Sequence, residues 1–127
     1  MKLLLDTCTF LWAVGGHPLG PGATALFRSP ANDLYLSAAS AVEIGVKYSL
    51  KRLLLAQPPD QLIPDQRRKH GIEVLPIEEE AGLHVARLPW LHKDPFDRLL
   101  VAQAIVHGMT ILTPDVLITQ YPARTIW

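Results

Sequence analysis

Four carboxylates stand at points of this 127-residue chain where chemistry is possible: Asp6, Glu43, Asp97 and Asp115. Carboxylate oxygens are hard donors, and hard divalent cations such as magnesium and manganese take a few of them together with water. A phosphodiester oxygen can complete such a shell. The metal then acidifies a bound water and stabilises the charge that builds up as the phosphorus is attacked. Gathered without a cation, the same acids repel one another and some of their pKa values rise.

Each acid also has a purely structural reading. Ser40-Ala41-Val42-Glu43 fits a capping box, in which Glu43 only finishes a helix end. Asp94-Pro95-Phe96-Asp97 fits the same scheme, with Asp94 as the cap and Asp97 in third place. Thr113-Pro114-Asp115 reads as a turn, and Asp6 as a helix cap. Two features weigh against these readings. Asp97 shares a helical stripe with Leu100, Val101 and Ala104, which turns it toward buried surface, and Asp6 follows three consecutive leucines. Two inward carboxylates in one small domain need a shared partner, and a metal is the economical one.

The elements that must position these acids alternate between strand and helix. Lys2–Asp6 reads as a strand buried on both faces, followed by a helix to Val14 that Thr7 could cap. A short helix covers Gly22–Phe27 after Pro21, a strand Leu34–Ser37, and a long helix Ala38–Leu50. Asp60–Lys69 is a helix kinked or split at Pro64, with Gly71 as its C-cap. Ile72–Leu75 is a strand, Glu78–Leu88 a helix and Pro89–Lys93 a loop. Asp94-Pro95 opens a helix to His107 that Gly108 stops. Met109–Leu112 is a strand, Val116–Thr119 a helical turn and Arg124–Trp127 a terminal strand. This alternation implies an α/β fold around a mostly parallel sheet, with the acids near the carboxyl rim where ligands bind.

Composition narrows the function classes. A hydrophobic share of 49% and a charged share of 19% suit one globular domain spanning residues 1–127. Zero formal net charge argues against a strong non-specific nucleic-acid binder. If four of the 12 acids hold metal, the rest of the chain carries 12 − 8, or +4. A single cysteine, Cys8, excludes an internal disulfide and suits a cytoplasmic location, and no stretch approaches a membrane span. Cys8 is read as a core residue rather than a nucleophile, since no Cys–His arrangement is evident. The five histidines show no zinc spacing with it, and none is assigned to metal.

Four segments in order, LLLDTCTFLW (Leu3–Trp12), LSAASAVEIGVK (Leu36–Lys47), KDPFDRLLVAQA (Lys93–Ala104) and ILTPD (Ile111–Asp115), resemble the motifs of PIN-domain ribonucleases, closest to VapC-type toxins. The resemblance covers nearly the whole chain, and the third motif is the most specific. It implies a PIN-like three-layer α/β/α sandwich with a central, mostly parallel sheet of about five strands. It further implies a magnesium- or manganese-dependent endoribonuclease that hydrolyses RNA phosphodiester bonds, a homodimer, and a small antitoxin that blocks the pocket. By motif position Asp6, Glu43 and Asp97 carry over as metal-binding catalytic acids and Asp115 as the fourth. Thr7 and Thr113 match hydroxyl positions that support the acids or a water. Cys8, Val42 and Pro114 depart from the family's usual residues, and Pro114 bears on the aim of Asp115.

Other residues stay open. Lys47, four positions after Glu43, is either a helical ion pair or a phosphate contact, and Arg98 either surface charge or an RNA contact. With Thr7 and Thr113 they form the candidate substrate-binding set. Arg67-Arg68-Lys69-His70 suits a solvated helix end better than an RNA patch, and Trp12 suits core better than a partner groove. Two other function classes compete. A phosphatase using Asp6 wants a second aspartate where Cys8 stands, and a silent interaction module would not need the retained acids. RNA processing without toxicity is a variant of the first class.

Overall fold

The computed structural model describes all 127 residues and is built on one five-stranded sheet. Its strands are β1 (Lys2–Leu5), β2 (Asp33–Ser37), β3 (Ile72–Leu75), β4 (Thr110–Leu112) and β5 (Arg124–Ile126). They lie in the order β3-β2-β1-β4-β5, and every neighbouring pair is parallel. A parallel sheet has both faces covered, which is why its central strand can be three leucines. Leu3, Leu4 and Leu5 are all fully buried, and they alternate between faces. Leu4 packs with Leu100, Val101 and Ile111 on one side of the sheet. Leu3 and Leu5 pack with Phe10, Ile44 and Leu112 on the other.

Six helices complete the layers: α1 (Thr7–Val14), α2 (Pro21–Arg28), α3 (Ala38–Ser49), α4 (Pro59–His70), α5 (Glu79–His84) and α6 (Pro95–His107). The chain runs outward from β1 through β2 to β3, then returns to lay β4 against the other edge of β1. Strand order therefore reverses between β1 and β4, and a crevice opens there beyond the strand ends. Helix stops follow the sequence closely. Gly71 and Gly108 end α4 and α6 in the left-handed conformation (φ +65° at each), which glycine adopts without a Cβ penalty.

Several local expectations change. Asp6, not Thr7, caps α1, accepting from Thr9 N at 2.6 Å, and Thr7 is the first helical residue. Ser37, not Ser40, caps α3, which sets Glu43 too deep in the helix to close a capping box. α4 runs unbroken through Pro64, although the proline stands mid-helix and removes one backbone donor there. The expected helix Glu78–Leu88 is α-helical only to His84 and tightens into a 3₁₀ turn at Val85–Arg87. The turn before β5 is likewise 3₁₀, at Ile118–Gln120.

Candidate active site

Because Asp6 follows the last residue of β1, its carboxylate sits at the crevice floor, buried to 3% exposure. Both oxygens are held. Oδ1 accepts from Thr9 N at the start of α1, and Oδ2 accepts from the Thr113 hydroxyl just beyond β4. Thr113 Oγ1 in turn accepts from Asp115 N at 3.0 Å, so one hydroxyl ties the acid after β1 to the acid after β4. Burial pushes the Asp6 carboxyl above its usual range, against the lowering effect of the Thr113 and Thr9 hydrogen bonds, and the charge of Asp115 adds to the rise.

Glu43 enters from the second turn of α3 and is buried. Thr7 Oγ1 donates to its Oε1 at 2.7 Å, and Lys47 Nζ lies 2.6 Å from its Oε2, a helical i, i+4 ion pair. That pair holds the Lys47 ammonium proton more tightly than usual, an effect that outweighs partial burial. The opposite wall is the first turn of α6. Asp94 caps the helix by accepting from Phe96 N (2.9 Å) and Asp97 N (3.1 Å). Asp97 does not return the bond as a capping box would. Its Oδ2 faces His92 Nε2 at 3.2 Å. Burial first, and the Asp94 charge second, push the Asp97 carboxyl up to about 6, with the His92 hydrogen bond working against them.

These side chains line one cleft of about 300 Å³. It contains five carboxylates (Asp6, Glu43, Asp94, Asp97 and Asp115), one cation, Lys47, and an apolar shoulder of Leu11 and Trp12. Asp94 is thus both a cap and part of the wall. Pro114 leaves Asp115 in the cleft, with its Oδ1 accepting from Leu117 N at 2.8 Å. Cys8, expected in the core, is instead exposed at the cleft, where it registers the convergence. Partial burial raises its thiol pKa, and the charges of Asp6, Asp115, Asp97 and Glu43 each raise it further, which disfavours a thiolate nucleophile. A larger hollow of about 530 Å³, bordered by His17, Phe27, Arg28 and His70, holds no acid.

Two of the residues expected at the substrate do something else. Arg98 is neither surface charge nor an RNA contact: it is 4% exposed. It donates to Pro89 O (2.9 Å), Tyr121 Oη (3.1 Å) and Val85 O (3.1 Å), and Trp90 stacks on it with the ring centroid 4.4 Å away. Thr113 is 1% exposed and gives its hydroxyl to Asp6, so of its two expected roles the structure favours support of an acid over contact with substrate. His92 was not singled out in the sequence. The signal for it was its place two residues before the Asp94 cap, which keeps it beside the first turn of α6.

The donor set suits a hard divalent cation: every acidic ligand is a carboxylate, and the raised Asp6 and Asp97 carboxyls mark charge that a cation would offset. Side chains alone form no closed cage, as no three of the acids, histidines and cysteine stand close enough to enclose an ion. Magnesium characteristically keeps several waters and takes one or two protein carboxylates, which fits so open a cleft.

The PIN domain family model matches residues 3–122. Ribonuclease VapC16 of Mycobacterium tuberculosis is 33% identical over 60 residues, covering 47% of this chain and 43% of that protein, so the match spans less than half of that relative's length. Among solved structures, VapBC2 from Rickettsia felis bound to a DNA fragment from its promoter superposes with a TM-score of 0.73 at 15% identity, covering 99% of this chain and 98% of that one. DNA-bound VapBC from Salmonella typhimurium gives 0.69 at 17% identity over 99% and 97%. At such identities these neighbours establish the α/β/α fold.

Proposed function

The chain belongs to the PIN domain family, and from that premise we propose that it is a metal-dependent endoribonuclease hydrolysing RNA phosphodiester bonds, the toxin of a toxin–antitoxin pair neutralised by a small antitoxin protein. The observation that carries the catalytic reading is the meeting of Asp6, Glu43, Asp97 and Asp115, from separate segments of the chain, in one cleft where the strand order reverses. The ribonuclease name of one relative and the VapBC neighbours support the substrate class and the toxin assignment.

In this reading Asp6 and Asp97 would hold magnesium or manganese, with Glu43 and Asp115 reaching it through water. When bound, the metal supplies Lewis acidity and an acidified water for in-line attack on the phosphodiester. Thr113 and Thr9 fix Asp6, and Thr7 fixes Glu43. Lys47, half exposed at the rim, neutralises Glu43 and presents a positive charge to an incoming phosphate. Leu11 and Trp12 offer an apolar shoulder for a base. A homodimer is supported by Val42, Val46 and Leu50 on and just past α3, exposed at 52%, 43% and 57% and spaced four residues apart. No helix is long and apolar enough to cross a membrane.

The decisive experiment incubates the purified chain, free of partner, with total RNA at low salt in manganese, magnesium or EDTA, beside Asp97→Asn. Cleavage should require metal and fall by roughly 10²–10³-fold in the variant, the range for losing one preorganised electrostatic element. Cleavage that survives the substitution would overturn the site. Folded protein that cuts no RNA would favour a silent interaction module, and metal-dependent cleavage without growth arrest on expression would favour RNA processing over a toxin.

A further inference from the structure

Asp97 is held from behind by a chain of three side chains that starts at its own sequence neighbour. The Arg98 guanidinium has only donors, so Tyr121 Oη, 3.1 Å away, must accept from it. That leaves the phenol hydrogen for the other partner of Tyr121, His92 Nδ1 at 2.7 Å. A ring that accepts at Nδ1 carries its hydrogen on Nε2, the nitrogen that faces Asp97 Oδ2 at 3.2 Å. Arg98 also fixes the loop that carries His92, through Pro89 O and the Trp90 ring. The frame around the imidazole is rigid: Tyr121 is 3% exposed, Arg98 4%, and the His92 side chain 12%.

We propose that His92 is a positioning residue for Asp97, oriented by Tyr121 and Arg98 to hold Oδ2 and leave Oδ1, which takes no hydrogen bond from the protein, to a divalent cation. The inference rests on reading the cleft as a metal site. Its physical basis is general. A carboxylate on a short side chain rotates freely about its terminal torsion unless one oxygen is tied, and partners of ligating groups are worth about 10–100-fold in metal affinity. Here the tie runs along a buried path that ends in a guanidinium held by three hydrogen bonds, to Pro89 O, Tyr121 Oη and Val85 O, so it cannot relax into solvent.

The test titrates Mn²⁺ into metal-free wild-type protein, His92→Phe, His92→Gln and Tyr121→Phe, following free Mn²⁺ by electron paramagnetic resonance. Thermal melts report folding, and RNA cleavage is run alongside. His92→Phe keeps the ring and should weaken Mn²⁺ binding about tenfold. His92→Gln, whose amide can still donate to Oδ2, should recover most of that loss. Tyr121→Phe should show a smaller loss, and ¹⁵N shifts of His92 should move from the Nε2–H tautomer in wild type to a mixture of tautomers in this variant. Wild-type binding with unchanged affinity in folded His92→Phe would overturn the inference while leaving the nuclease reading intact. Should His92→Phe fail to fold, unchanged affinity and an unchanged tautomer in Tyr121→Phe would overturn it. Wild-type protein that neither binds Mn²⁺ nor cuts RNA would overturn the nuclease reading, and this inference with it.

Discussion

The two helices that carry acids into the cleft do so on opposite terms. On α3, Glu43 has a cation on one oxygen and a hydroxyl on the other, from Lys47 at 2.6 Å and Thr7 at 2.7 Å. On α6, Asp97 shares its turn with a second aspartate and receives one hydrogen bond, from His92 at 3.2 Å. One wall is charge-paired by its own neighbours, while the other is charge-crowded and held from behind by buried groups. The difference teaches where an external cation gains most. On α3 it would compete with a resident ammonium, whereas on α6 it would relieve both desolvation and the repulsion from Asp94.

The largest effect should come from breaking the buried support of the α6 wall. Arg98→Leu removes donors to two carbonyls and a phenol, and should cost about 3 kcal/mol in urea unfolding, the scale for stripping a buried hydrogen-bonded network. A loss within a few tenths of zero would mean that the network carries no stability.

The crowding itself should show in the pH dependence of the metal-free protein. The Asp97 carboxyl is raised from 3.8 to about 6, so between those values the folded state binds more protons than the unfolded state. Stability should therefore fall as pH rises from about 4 to about 6 and level off above that, and Asp6, raised in the same direction, adds to the fall. Asp94→Asn preserves the cap but removes the like charge. It should make the slope shallower and raise metal-free stability at pH 7 by on the order of 1 kcal/mol, the worth of about one pKa unit. A slope that Asp94→Asn leaves untouched would assign the shift to burial alone.

The smallest effect should be on the paired wall. Lys47→Gln breaks an ion pair whose lysine is half exposed, and should cost under about 1 kcal/mol while strengthening Mn²⁺ binding, because Glu43 Oε2 is released. Unchanged stability together with unchanged Mn²⁺ binding would show that Lys47 does not compensate Glu43, and the contrast between the walls would fall.

Much of this was legible in the chain, and the exceptions share a cause. The leucines of β1, the Asp94 cap with Pro95 behind it, and the glycines ending α4 and α6 announce themselves because each is set by neighbours a few residues away. The inward stripe of Asp97, Leu100, Val101 and Ala104 belongs to the same class. Ser40-Ala41-Val42-Glu43 misled because the pattern S-x-x-E does not fix helix register, and Ser37, at the strand end, begins the helix three residues earlier. Arg98 was unreadable for a deeper reason. Its partners are two carbonyls and a phenol brought from 9, 13 and 23 residues away by the tertiary fold. No periodicity reports such contacts, and a charged residue is by default assigned to the surface. His92 escaped notice for the same reason, since its meaning depends on Tyr121.

The reversal of strand order between β1 and β4 has a bearing on how the protein is made. Asp6 leaves the ribosome 107 residues ahead of Thr113, whose hydroxyl holds its Oδ2. β4 must dock against β1, and β5 against β4, before the acids share a cleft. A chain synthesised only part of the way to β4 therefore has no site to misuse, and whatever activity the cleft supports begins only after Thr113 has been made.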